Sequence, residues 1–283
     1  MIYLLLSIAC SVTIAHIFKY AAEKSIPMFA LFAVNYAIGS VVALAGCDMQ
    51  TVWTQRSPHL VMLGMMQGVL FVCSYALMVQ AIKNLGVIIP VSLMRLSAVL
   101  PTFGSILFFA EIPRPLQIAG ILLAFLSLPL ATQERLLLTN FSKIFHNGFG
   151  WGLMLFVVFG ITNFVFKIQQ ELFVVQNPAN FLVIVFPTAF LVSLTMVLHQ
   201  KLSIYWNVLR LGSLLGVINL LSSYFFMRAL QRFPGIVAYP INGVGVIVAS
   251  TITGMLFWKE RLTTTNYLFI SVASLALLII YPH

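Results

Sequence analysis

The chain has 283 residues, of which 61% are hydrophobic and only 7% charged, against about 25% charged in soluble domains. That excludes a soluble fold, whose surface needs more polar cover, and the apolar runs lack the period-two alternation of a membrane barrel. The net charge of +9 does not point to nucleic acid, because the 15 basic residues stand singly between apolar runs and form no patch that could track phosphates.

Ten apolar segments follow one another, at about 2–20, 28–46, 60–82, 86–109, 115–132, 149–168, 179–198, 208–230, 235–258 and 264–281. Runs of this length and composition cross a bilayer as helices, so the expected class is an all-α integral membrane protein with ten transmembrane helices. The first run has no basic stretch before it and no small-residue cleavage site after it. It reads as a retained helix and not as a signal peptide. The breaks carry turn chemistry, as in Ser25-Ile26-Pro27, Ser57-Pro58, Asn84-Leu85-Gly86, Pro113-Arg114-Pro115, Asn177-Pro178 and Phe233-Pro234-Gly235. Most are short enough to be hairpin links between antiparallel helices. Cys10, Cys47 and Cys73 are odd in number and lack a CxxC spacing, so they read as free thiols.

The fourth segment, Val87 to Phe109, holds a single charge, Arg95. A guanidinium at membrane depth is costly, by about 3 to 17 kcal/mol depending on the reference, so it should face water, a partner or a ligand. As one continuous helix the segment would put Arg95 on a stripe with Ser92, Ala98, Thr102 and Ser105. Ile89, Leu93, Leu96, Leu100 and Leu107 would form an apolar back.

The two halves of the chain repeat. Phe18-Lys19 recurs as Phe166-Lys167, and Gly64-xxx-Gly68 as Gly212-xxx-Gly216, both 148 residues later. Ser74-Tyr75 recurs as Ser223-Tyr224, Gly86 as Gly235, Phe108 as Phe257 and Glu111 as Glu260, all 149 residues later. A near-constant offset over most of the chain marks an internal duplication. The repeats are residues 1–132 and 149–283, joined by a polar link over 133–148. Five helices per repeat is an odd number, so the second repeat enters the membrane from the opposite side. That is the inverted repeat of many secondary transporters, whose site lies near the midplane.

The stretch FFAEIPRPLQIAGILLAFLSL and its mate LFWKERLTTTNYLFISVASLAL, each following a Gly-spaced helix, a Tyr, a turn and a long apolar helix, resemble the EamA-like repeat of the drug/metabolite transporter superfamily. The resemblance covers nearly the whole chain. It implies ten helices in a five-plus-five inverted repeat, both termini cytoplasmic, and a central cavity lined by the first, third, fourth, sixth, eighth and ninth helices. The second copy departs from the family form at Asn266 and Phe269. The family carries amino acids, nucleotide sugars, organic phosphates, purines and drugs, so it supplies no substrate. The loop cations favour the opposite orientation. With the N-terminus inside, Arg56, Arg114, Lys167, Arg228 and Arg232 would face the cytoplasm, five against nine outside. The orientation adopted is the one the resemblance implies, in a bacterial inner membrane.

Arg95 is the leading candidate for substrate recognition, since its planar fork suits carboxylate or phosphate; the alternative is a structural arginine bonded to a neighbouring helix. Tyr75, Asn163, Asn219, Tyr224 and Asn242 are polar groups at membrane depth that would line the cavity, although such groups also serve as links between helices. Asn242 is the best of these, because Gly243 and Gly245 follow it. His16 is a candidate proton carrier. The repeat mates Lys19 and Lys167 are candidate gates; the cheaper explanation is that each snorkels to the headgroups from its helix end. Glu111 and Glu260 read as structural carboxylates at the start of the last helix of each repeat.

The reading is a secondary transporter of small polar metabolites bearing carboxylate or phosphate, working by alternating access. It needs no cofactor and no metal, and it is driven by a coupling proton or by exchange. The expected partners are a small-molecule substrate and the lipid bilayer, with the protein a monomer or a homodimer. The alternatives are a multidrug exporter of the same fold, a channel or lipid-handling protein, and a membrane enzyme. For the last, the five histidines are too dispersed to build a centre.

Overall fold

The computed structural model describes residues 1–47, 50, 57–85, 88–131, 149–173, 177–259 and 264–280. Glu260, the 133–148 link, Arg56 and Arg261 lie outside them. The described residues form eleven helices and no strand: α1 Ile2–Glu23, α2 Met28–Ala45, α3 Pro58–Leu85, α4 Ile88–Leu96, α5 Val99–Phe109, α6 Pro115–Ala131, α7 Phe149–Leu172, α8 Pro178–His199, α9 Trp206–Leu230, α10 Gly235–Trp258 and α11 Thr264–Ile280. Each predicted segment falls on helix, and the fourth falls on two. Seven helices (α1, α2, α3, α7, α8, α9 and α10) are long and apolar enough to cross a membrane, while the fourth, fifth and last segments give shorter pieces. Leu107, Phe108 and Phe257 are each about three-quarters exposed. Large apolar side chains turned outward in such number suit lipid and not water.

The starts and stops follow from local chemistry. Ser57 caps α3 by accepting from the Leu60 N–H, and Asn177 caps α8 by accepting from the Ala179 N–H, with Pro178 at the first helical position. α5 ends at Ala110 in the left-handed region, φ 52, where the Glu111 N–H turns back to the Ser105 carbonyl.

The described residues form two compact units, each drawing on both halves of the sequence. The first is Met1–Ala76 with Ile168–Gln231; the second is Leu77–Lys167 with Arg232–His283. In the first, α9 packs against α1 and α2, and α8 packs against α2. Ile17, Ala21, Ala30, Leu31, Val34, Val208 and Leu215 form its core. The two Gly-xxx-Gly pairs act as close-packing devices there. A Cβ on Gly68 would stand 2.7 Å from the Val185 carbonyl oxygen, and one on Gly216 would stand 2.5 Å from that of Asn35. In the second unit α11 lies along α6, and α10 packs against α5, α6 and α11.

Candidate functional site

In the second unit the fourth segment is not the continuous helix that its length suggests. Pro101 has no N–H to return to the Ser97 carbonyl, so that carbonyl takes the Leu100 N–H in a tighter turn at 3.0 Å. The Ser97 hydroxyl back-bonds to the Met94 carbonyl at 2.6 Å. The segment therefore stops at Leu96 and restarts at Val99, and Arg95 stands in the last turn of α4, where terminal carbonyls favour a cation. The predicted polar stripe is interrupted at that break. The predicted apolar back packs against protein as well as lipid, for Leu93 fills the space beside Gly152 and Leu100 that beside Gly160, both on α7.

The break meets α10 at a glycine. A Cβ on Gly243 would come to 3.5 Å from the Ala98 Cβ and 3.8 Å from the Arg95 carbonyl oxygen. Asn242 precedes that glycine on α10. The side chains of Arg95 and Asn242 are both half-buried. One helical turn before Lys167, the Asn163 carbonyl accepts from the Tyr239 hydroxyl at 2.8 Å, an α7–α10 link made by the backbone and not by the predicted amide.

Lys167 corrects the expectation most. It does not snorkel. It is 1% exposed, and its Nζ donates to Glu111 Oε1 at 2.6 Å. Glu111 is a helix cap, as read, but of a different helix. Its Oε1 also accepts from the Gly235 N–H at 2.8 Å and its Oε2 from the Ile236 N–H at 2.9 Å, which is the start of α10 and not of α6. The start of α6 is satisfied otherwise, with Gln117 Oε1 accepting from the Arg114 N–H. The reason is geometric. Glu111 precedes α6 by four residues in the left-handed exit from α5, and that exit turns the carboxylate towards α10.

In the first unit the predicted residues are committed to neighbours. Tyr75 stacks on Phe32 with ring centroids 4.6 Å apart and meets the edge of Phe18 at 5.7 Å. Asn219 Nδ2 donates to Asn35 Oδ1 at 3.3 Å, linking α9 to α2, and Asn35 Nδ2 is buried with no acceptor. The Tyr224 hydroxyl accepts from Arg228 Nε at 3.0 Å, and the guanidinium lies 5.4 Å from the ring. Arg228 also reaches Gln231 and Asn177, so it is a held helical residue and not a loop charge. His16 and Lys19 are half-buried on α1. Lys19 thus differs from its fully buried repeat mate.

Sequence reasoning missed the ion pair and the Arg228 cluster. The available signal for the first was that Glu111 is one of only six acidic residues beside a run of otherwise apolar chain.

These features can be set beside known proteins. The family model described as the EamA-like transporter family matches residues 1–133. The match spans a little under half of the chain, and it is to that stretch that the likeness applies. That family is part of the drug/metabolite transporter superfamily. An uncharacterized protein of Haemophilus influenzae (strain ATCC 51907 / DSM 11121 / KW20 / Rd) is 27% identical over 299 residues, covering 98% of this chain and 97% of its own. A solved crystal structure superposes with a TM-score of 0.81 over 98% of this chain and 94% of its own. At 14% identity that likeness shows a common fold and nothing finer. With seven described helices long and apolar enough to cross a membrane, the chain is a multi-pass integral membrane protein whose first 133 residues are similar to the EamA-like transporter family.

Proposed function

We propose that the protein is a secondary transporter that moves a small polar metabolite bearing a carboxylate or phosphate by alternating access, with ten crossings arranged as a five-plus-five inverted repeat. The observation that carries this reading is the broken fourth segment. Discontinuous helices within the membrane are where carriers bind substrates and ions. The carbonyls at this break are themselves satisfied, those of Arg95 and Ser97 by the Ala98 and Leu100 N–H groups, so it is the side chains beside it that are offered to a ligand. Here a permanent cation, Arg95, stands in the last turn before the break, and Gly243 of α10, which follows Asn242, lies against it. Arg95 would take the anionic group and Asn242 would orient the rest. Tyr75, Asn163, Asn219 and Tyr224 keep their proposed place along the path, and His16, Lys19 and Lys167 theirs in gating or coupling. Tyr224 and Asn219 would act through the partners named above. The bacterial inner membrane and cytoplasmic termini belong to the same proposal.

The test is transport by purified protein in proteoliposomes, loaded with carboxylates, amino acids or organic phosphates. Saturable uptake that is accelerated by unlabelled substrate on the opposite side is the result expected of a carrier. Linear, non-saturating flux would make the protein a channel and overturn the reading. A thermal-shift screen over the same compounds narrows the choice, since a bound ligand raises stability with concentration.

A further inference from the structure

Four donors of the second unit converge at the start of α10. Two are the Gly235 and Ile236 N–H groups, the free end of a 24-residue helix. The third is the buried ammonium of Lys167. The fourth is the hydroxyl of Ser105 on α5. Glu111 engages only the first three. Ser105 is 0% exposed, its Oγ has no hydrogen-bond partner, and it faces Gly235 so closely that the Cβ of any other residue there would collide with it. Hydroxyls nearby in the same segment bond back to their own helix, Ser97 to the Met94 carbonyl and Thr102 to the Ala98 carbonyl. An unmatched hydroxyl at this depth carries a desolvation cost. It is an unsatisfied hydroxyl beside the helix end that the resident carboxylate caps.

We propose that Lys167, Ser105 and the N-terminus of α10 form a second oxyanion subsite, in the first place for a carboxylate, eight residues along α10 from the Gly243 contact with Arg95, and that Glu111 is its internal occupant, displaced when a substrate carboxylate leaves Arg95 and enters it. The inference rests on the carrier reading given above. Glu111 is suited to leave: it lies in the non-helical stretch between α5 and α6, and its side chain is 13% exposed against 2% for Lys167. One ammonium and one helix end balance a single monoanion. Entry of substrate is therefore an exchange of one carboxylate for another, and no bond is made or broken beyond hydrogen bonds.

Purified Glu111→Ala protein in detergent empties the site. It should melt below wild type, and sodium acetate should raise its melting temperature by roughly 5 °C at saturation, as a ligand that binds only the folded state does. Sodium chloride at equal ionic strength should not. Inorganic phosphate, run alongside, decides whether the larger oxyanion fits. Adding Ser105→Ala should weaken the acetate response about tenfold in concentration, and adding Lys167→Gln should abolish it. Glu111→Ser leaves the site open as well and carries the same acetate test if the alanine variant does not fold. An absent acetate response in the folded variants, or an equal one without Lys167, reduces Glu111 to a plain helix cap and overturns the proposal. Saturable wild-type counterflow alongside an absent acetate response sinks this site and leaves the carrier reading intact; an acetate response without counterflow does the reverse.

Discussion

Lys167 and Glu111 are joined across 2.6 Å with the lysine side chain 2% exposed, and the glutamate is held at the same time by two backbone N–H groups of α10. The pair ties α7, the α5–α6 connection and the start of α10 together. Removing one partner of a buried pair leaves an uncompensated charge, at a cost of about 3–5 kcal/mol. Lys167→Met should therefore lower thermal stability markedly, and Glu111→Gln with Lys167→Met should recover much of the loss. A double-mutant cycle on melting temperature measures this; additive losses would mean that the two side chains do not act as a pair.

Arg95→Ala should lose substrate affinity by roughly 30-fold or more, since truncating a charge-assisted contact costs about 2–5 kcal/mol. Arg95→Lys should recover only part, lacking the planar fork. Arg95→Ala should lower the melting temperature by less than Lys167→Met does, because a cation at a helix C-terminus is worth only about 0.3–1 kcal/mol. Full transport with a large loss of stability would instead assign Arg95 to helix packing at the end of α4.

Asn219→Leu should cost about 1 kcal/mol, because it strands the amide of Asn35 between α2 and α9. Changing Asn35 and Asn219 to Leu together should be closer to neutral. Loss of transport by Asn219→Leu at unchanged stability would return that amide to the substrate path.

Two glycines should respond oppositely to alanine. At Gly216 the added methyl would meet the Asn35 carbonyl oxygen at 2.5 Å and the Gly39 nitrogen at 3.1 Å, and forcing the helices apart should cost about 1–3 kcal/mol. At Gly150, in the first turn of α7, nothing lies within 4 Å. Alanine there should be neutral or slightly stabilising. Thermal melts of the two variants check both.

Much of the architecture is legible in the sequence because bilayers impose length and polarity directly. The ten apolar runs, their Pro and Asn boundaries and the close-packing Gly pairs needed no tertiary knowledge. The break after Leu96 was legible in principle, for Pro101 stands four residues after Ser97. A run of hydrophobicity masks it because periodicity counts side chains and not N–H groups. The pairing of Lys167 with Glu111 was not legible. A lysine 18 residues into a predicted helix looks like a headgroup anchor until the fold reveals what lies beside it. Glu111 was likewise assigned to its nearest helix, whereas the left-handed exit at Ala110 redirects it. Tyr224 shows the same limit: its partner Arg228 lies one turn away and was counted as a loop charge.

The separation in sequence between Glu111 and its partners also sets an order of assembly. The Gly235 and Ile236 N–H groups stand 124 and 125 residues further along the chain. During synthesis the glutamate reaches the membrane long before the helix end that it caps, and before Lys167 as well. α4 and α5, about 14 and 17 Å long, are each too short to cross the bilayer alone. The fourth segment therefore enters the membrane with a charge, a break and an unanswered carboxylate at its end. A chain stopped short of residue 235 lacks the two N–H groups that Glu111 caps, so the second half of the sequence supplies the partners of a carboxylate in the first.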